Sequence, residues 1–190
     1  MPAQLPIETE RLLLRAFEPG DLDVLAALHG DPDLVRWIPW GPRDRRQAAV
    51  VLERKLRSTS FAREGDGLGI APVVKASGEM VGDLTLQYAS AEHSVAELGY
   101  LLAPGAQGRG YATEASAALL ELAFGELGMH RVVARIESRN AASIALAERL
   151  GMRREAHFVE NEWVKGEWQS ELVYAILDRE WEQDGSRLRE

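Results

Sequence analysis

Cysteine is absent from the 190 residues. Disulfide bridges, a thiolate nucleophile and any cysteine-ligated metal site are excluded with it. Long apolar runs are missing as well, and none approaches the roughly 20 residues of a membrane helix. The opening MPAQLPIETERLLL lacks the basic stretch that begins a secretory signal. These absences predict a cytoplasmic chain with no membrane partner. Basic charge is scarce: 22 Lys and Arg stand against 30 Asp and Glu, a formal charge of −8. Nucleic acid, bound mainly through phosphate neutralisation, is a poor partner for such a balance. A cationic or amine partner fits it, and so does a merely solvated acidic surface. No repeat, low-complexity tract or Pro/Gly/Ser-rich linker divides the sequence. It reads as one domain over 1–190, with a core of about 8–178 and a C-terminal tail from 179.

What is present has the periodicity of a mixed α/β fold. ERLLLRAF (10–17) reads as a strand, and EPGDLDVLAALHGD as a helix with Pro19 near its start. After the proline-broken WIPWGP, a second helix follows, with Arg43, Arg45, Arg46, Arg54, Lys55 and Arg57 expected on a solvated face. LGIAPVVKA and EMVGDLTLQY form a hairpin, with Pro72 suggesting an edge or a bulge. VAELGYLLA is a strand, 108–128 the strongest helix, and RVVARIES the next strand. Asn140 then caps a short helix ended by Gly151, and two strands close the chain around Lys165-Gly166. Strand, long helix, strand in the middle makes a right-handed crossover between parallel neighbours. The predicted architecture is a mixed, mostly antiparallel sheet with one central parallel βαβ crossover.

Between strand and helix lies PGAQGRGYATEA, 104–115, with Gly105, Gly108 and Gly110. Three readings are open on the residues alone. The glycines make a tight turn; or they form a dinucleotide fingerprint, against which stand Thr113 at the third small position and the lack of a second parallel βαβ unit; or they present free N–H groups and a helix N-terminus to a phosphate.

Gln107-Gly108-Arg109-Gly110-Tyr111-Ala112 resembles the Gln/Arg-x-x-Gly-x-Gly/Ala signature of the GCN5-related N-acetyltransferases. GRGYATEA and RNAASIALAERLGM are similar in particular to the ribosomal-protein alanine/serine acetyltransferase branch, as are ETERLLLRAFEPGDLD, AELGYLLAP and GEWQSELVYAIL. The resemblance implies the acyl-CoA N-acyltransferase fold and acetyl-CoA as co-substrate, with no metal. It implies that backbone from Gln107 through Arg109 and Tyr111 to Thr113 cradles the pyrophosphate. Leu101, Leu102 and Ala103 would pair with the pantetheine arm, and Asn140 would hydrogen-bond that arm or the substrate backbone.

Direct transfer from a thioester needs a neutral amine, a stabilised carbonyl oxygen and a proton for the departing thiolate. Glu97, in a strand amid apolar residues, is the candidate base, directly or through water. His93 is a weaker rival, while His130 and His157 read as structural. The last helix has Ala147 and no tyrosine. The resemblance therefore implies Ser143 as the thiolate's proton donor; a capping role for Asn140 and Ser143 stands beside it. Trp37, Trp40, Glu160 and Trp163 are the candidate acceptor residues, with Glu162 near. Relatives often carry an Asp soon after a tryptophan where this chain has Gln169-Ser170-Glu171. The expected acceptor is a protein or peptide N-terminal α-amine. A small-molecule amine and a non-catalytic acyl-CoA-binding module are the alternatives, and a homodimer is one option for assembly.

Overall fold

The computed structural model describes residues 5–184. Eight strands form one sheet in the order β1-β2-β3-β4-β5-β6-β8-β7. They are β1 (Ile7–Glu8), β2 (Leu12–Ala16), β3 (Gly67–Val74), β4 (Gly82–Ser90), β5 (Val95–Leu102), β6 (Arg131–Glu137), β7 (Arg153–Val164) and β8 (Glu167–Leu177). Every neighbouring pair is antiparallel except β5 and β6. The helices are α1 (Leu22–Gly30), α2 (Arg45–Arg57), α3 (Tyr111–Glu121), α4 (Ala141–Arg149) and α5 (Asp178–Asp184). Among the described residues, no helix is long and apolar enough to cross a membrane.

Side-chain alternation gives the sheet two apolar faces. Leu98 and Leu102 of β5, Val132 and Ile136 of β6 and Ile70 of β3 pack under α3 and α4, against Leu119, Leu120 and Leu146. The opposite face, with Ala71, Val73 and Leu101, packs under Leu25 and Leu28 of α1 and Leu52 of α2. Each such leucine contributes roughly 1.5–3 kcal/mol by leaving water.

The differences from the expected elements have local causes. Helix α3 starts at Tyr111 rather than 108 because Gly108 and Gly110 have φ of 71° and 81°, left-handed values that cannot continue a right-handed helix. Its far end widens into a π turn, Leu122–Glu126. Pro72 is not on an edge, since β3 lies inside the sheet; its pairing with β4 runs only from Gly67 to Ile70 and breaks before the proline. The tail expected from 179 begins as part of α5, where Trp181 is buried near Phe124 and donates to Glu121 Oε2 at 3.1 Å. Residues 185–190 of that tail lie outside the described residues. Two cations expected in solvent are also drawn inward: Lys55 reaches Asp83 at 2.6 Å, and Arg43 stacks on Trp40 at 3.7 Å.

Candidate active site

The parallel pair is short. Val95–Glu97 pair with Arg131–Val133, and beyond that point β5 stays with β4 while β6 stays with β8. The strands part, and a cavity of about 960 Å³ opens between Leu98–Leu102 on one side and Ala134–Glu137 on the other. The volume is at the upper end of small-ligand sites. From Leu98 onward, the β6-facing edge of β5 has no strand partner.

One end of the cavity is the glycine loop and the start of α3. With Gly110 as N-cap there is no capping side chain, so the first-turn N–H groups of Tyr111, Ala112 and Thr113 have no partner within the helix. These three residues line the cavity with Gln107, Gly108 and Gly110. Gln107 Nε2 donates to Leu102 O at 3.0 Å and fixes the loop to the strand end. Arg11 fastens it from outside: Nη1 donates to Arg109 O at 2.8 Å, and Nε pairs with Glu114 Oε2 at 2.7 Å. Burial alone would raise the Glu114 carboxyl, but hydrogen bonds from Thr9 and Arg11 outweigh it and hold the group low. A Cβ added at Gly108 would meet nothing, leaving the cradle open. No carboxylate lies between 104 and 113. A pyrophosphate fits here: the site offers backbone donors, a helix N-terminus and space.

Helix α4 forms the next wall through Asn140, Ala142, Ser143, Ala145, Leu146 and Arg149. Asn140 is its N-cap, its Oδ1 accepting from Ser143 N at 3.2 Å. Tyr100 donates its hydroxyl to Ser143 O at 3.2 Å and so ties β5 to this turn. Burial pushes the Tyr100 phenol up, against the hydrogen bond to Ser143 and the nearby Arg149. Tyr100 is absent from the sequence-derived candidates, although it lies on the same strand face as Leu98 and Leu102.

Glu97 is the last paired residue before the strands part. Burial pushes its carboxyl up, while the Arg135 guanidinium, 3.5 Å away, pulls it down and Glu171 adds to the rise. Arg135 also donates to Glu171 Oε1 at 2.7 Å. Arg135 lines the cavity and Glu97 does not. Ala103 and Arg109 are likewise outside the lining. His93 and His157 are exposed.

The opposite mouth carries Asp31, Asp33, Leu34, Trp37 and Ile38 from the loop after α1, with Glu137 of β6. Of the four expected acceptor residues, only Trp37 is there. Its ring carries the guanidiniums of Arg36 and Arg139, at 4.5 and 5.1 Å from its centroid. Trp40 instead packs on His29 and Arg43. Trp163 stands 61% exposed at the hairpin end, edge-on to Trp168, and Glu160 is on the exposed β7. Neither lines the cavity. Glu137, missed by the sequence reading, is buried with both oxygens accepting from Arg139, at 2.6 and 2.7 Å. Among the described residues, no group of three His, Asp or Glu could hold a metal ion.

A family profile described as "Acetyltransferase (GNAT) domain" matches residues 11–153. The chain belongs to the GNAT acetyltransferase family. It is 32% identical over 176 residues to the uncharacterized N-acetyltransferase YnaD of Bacillus subtilis, over 92% of this chain and 98% of YnaD. The crystal structure of a GNAT-family acetyltransferase from Bacillus anthracis matches with a TM-score of 0.82 at 29% identity, covering 91% of this chain and 98% of that one. Spermidine N-acetyltransferase of Vibrio cholerae, solved in complex with CoA and spermine, shares the fold with a TM-score of 0.79 at 21% identity, over 91% and 99% of the two chains. This GNAT protein is an acetyl-CoA-dependent N-acetyltransferase, and its acceptors are amines.

Proposed function

We propose that this single-domain GNAT enzyme acetylates α-amines, with peptide or protein N-termini as acceptors. Acetyl-CoA supplies the activated acetyl group as a thioester. The first-turn N–H groups of α3 hold its phosphates, and the free edge of β5 pairs with its pantetheine arm. Asn140 hydrogen-bonds that arm. At the parting of the strands the amine nitrogen bonds to the acetyl carbon and the carbon–sulfur bond breaks. The amine's proton passes through a water to Glu97, and the thiolate takes a proton from the Ser143 hydroxyl, which regains one from solvent.

The observation that carries the α-amine assignment is the state of Glu97. It is one carboxylate, raised by burial yet held by Arg135 and set back from the cavity wall. Such a base suits an amine that is already partly neutral near pH 7. An α-amine titrates at about 7.7–8.0 and a lysine ε-amine near 10.4, so their neutral fractions near pH 7 differ by roughly two to three orders of magnitude. An acidic mouth favours the charged form of any amine held there and lowers both neutral fractions alike, so the difference stands. Matched peptides test this: one begins with free Ala or Ser, the other is N-blocked with an internal lysine. Thiol release near pH 7 is expected to favour the free N-terminus, and faster lysine acetylation refutes the assignment.

A polycationic small amine is the second reading. Asp31, Asp33 and Glu137 in the mouth support it. So does 25% identity over 167 residues to the spermidine N(1)-acetyltransferase of V. cholerae. Spermidine belongs in the same screen.

A further inference from the structure

The acceptor side of the cavity is carried by residues 31–38, part of the connection between α1 and α2. The stem of that connection is fastened by a buried histidine with no part in the chemistry above. His29, in the last turn of α1, is 2% exposed. Its Nε2 lies 2.9 Å from Asp83 Oδ2 of β4, and its Nδ1 lies 3.0 Å from Arg43 Nη1 at the far end of the loop. The backbone repeats the connection, with Arg43 N donating to His29 O at 2.9 Å. Trp40 packs on the imidazole at 4.6 Å, and the Arg43 guanidinium covers Trp40.

These contacts fix the state of the ring. A guanidinium has only N–H groups to offer, so Nδ1 must present its lone pair and Nε2 must carry the proton toward Asp83. The imidazole is neutral. The charged groups around it are Asp83 from β4, Lys55 and Arg54 from α2, and Arg43 from the loop. Lys55 Nζ already occupies Asp83 Oδ1 at 2.6 Å. A second ring proton would set N–H against N–H at Arg43 and add another cation around one carboxylate. Asp83 is also the register partner of Leu101, which lies in the opposite cavity wall.

We propose that His29 is a positioning residue for the acceptor wall: its imidazole, bridging Asp83 and Arg43, latches the 31–44 loop to the sheet. The proposal rests on the loop lining the acceptor side, not on which amine is used. Breaking the latch raises acceptor KM while acetyl-CoA affinity, set at the other end of the cavity, stays.

Two variants separate latch from scaffold. His29→Gln keeps an oxygen for Arg43 and an N–H for Asp83 but takes no second proton. His29→Leu keeps neither bond. With an alanine-initiated peptide, His29→Leu is expected to raise acceptor KM about tenfold, the scale of an unmade buried hydrogen bond, with acetyl-CoA Kd within about twofold. His29→Gln, which keeps both bonds, should stay within about twofold of the wild-type KM. Long-range ¹H–¹⁵N NMR of the wild-type ring should place the proton on Nε2 near neutral pH, whichever amine is the substrate. If the peptide is not acetylated at all, the α-amine reading fails; the ring tautomer and the amide exchange of residues 31–44, faster in His29→Leu than in His29→Gln, then decide the latch. Should His29→Leu fail to fold, Arg43→Met, which removes the loop's side of the bridge, takes its place. A ring proton on Nδ1, or a wild-type KM in folded His29→Leu or Arg43→Met, overturns the proposal.

Discussion

Gly110→Asp separates the two roles of the glycine loop, shaping the chain and receiving phosphate. Gly110 has φ of 81° and caps α3. Left-handed backbone costs an L-residue about 1–2 kcal/mol, and Asp and Asn are among those that tolerate it best. The new Cβ meets only Arg11 Nη2, at 3.2 Å, the movable end of a half-exposed side chain. A carboxylate at a helix N-terminus returns about 0.3–1 kcal/mol. The net cost to folding is then ~1 kcal/mol, or about 2–4 °C in Tm for a chain of this size.

The ligand fares worse. Like charges about 4 Å apart repel by ~1 kcal/mol in water and ~4 kcal/mol at an effective dielectric of 20. A pyrophosphate brings more than one charge to Tyr111–Thr113, so a loss of ~2.7 kcal/mol, about a hundredfold in Kd, is a moderate expectation. At acetyl-CoA equal to about 100 wild-type Kd, the wild type gains ~2.7 kcal/mol. That corresponds to a shift of about 5–10 °C. The variant at the same concentration gains only ~0.4 kcal/mol, about 1 °C. Thermal melts with and without acetyl-CoA, checked by calorimetric titration, read both quantities. A folded Gly110→Asp protein with an undiminished shift refutes the placement of the phosphates at this helix.

Two more expectations concern the catalytic groups. Burial raises the Glu97 carboxyl, Arg135 opposing and Glu171 assisting. A raised acid contributes stability below the ordinary carboxylate value of about 4.3 and loses it as pH rises through the raised value. Glu97→Gln therefore gains stability relative to wild type across that window, and it flattens the acidic limb of kcat/KM with acetyl-CoA affinity nearly intact; an unchanged limb removes Glu97 as the base. In Ser143→Ala the backbone bonds to Asn140 and Tyr100 persist, so stability should move by less than ~0.5 kcal/mol. Its kcat should fall more than acetyl-CoA binding weakens, and an unchanged kcat reduces Ser143 to a helix residue.

The glycine-loop end of the cavity is legible in the sequence because its determinants are local. Left-handed glycines, an asparagine N-cap and a strand-helix-strand period each act within a few residues of themselves. Gly108, Gly110 and Asn140 accordingly stand where the sequence puts them. The acceptor side is assembled from distant parts. Lys165 Nζ bonds Val35 O at 2.6 Å and Arg36 O at 3.1 Å, while Arg139 reaches both Trp37 and Glu167. No periodicity encodes such bridges. Counting tryptophans also misleads there. Trp163 and Trp168 face one another across a hairpin, and cross-strand aromatic pairs need no pocket. Lys55 and Arg43 look like surface cations until Asp83 and Trp40, remote in sequence or set in an irregular loop, supply their partners.

One geometric cause joins the two sides. Parallel strands require a crossover, and α3 supplies it, beginning just beyond the carboxyl end of β5; α4 begins just beyond that of β6. Once β5 and β6 part, both helix N-termini face the opening, where open α/β sheets bind ligands. Two positive dipole ends and uncapped N–H groups then favour an anionic donor on that side. The far side presents Asp31 and Asp33, with Glu137 held by Arg139, Arg135 held by Glu97 and Glu171, and Arg36 stacked on Trp37. On the proposed function, a thioester with an anionic tail enters at the helix N-termini and the amine acceptor at the far mouth. Asp33→Lys should therefore raise acceptor KM alone, and Gly110→Asp should weaken acetyl-CoA binding alone, both read from steady-state kinetics and calorimetric titration.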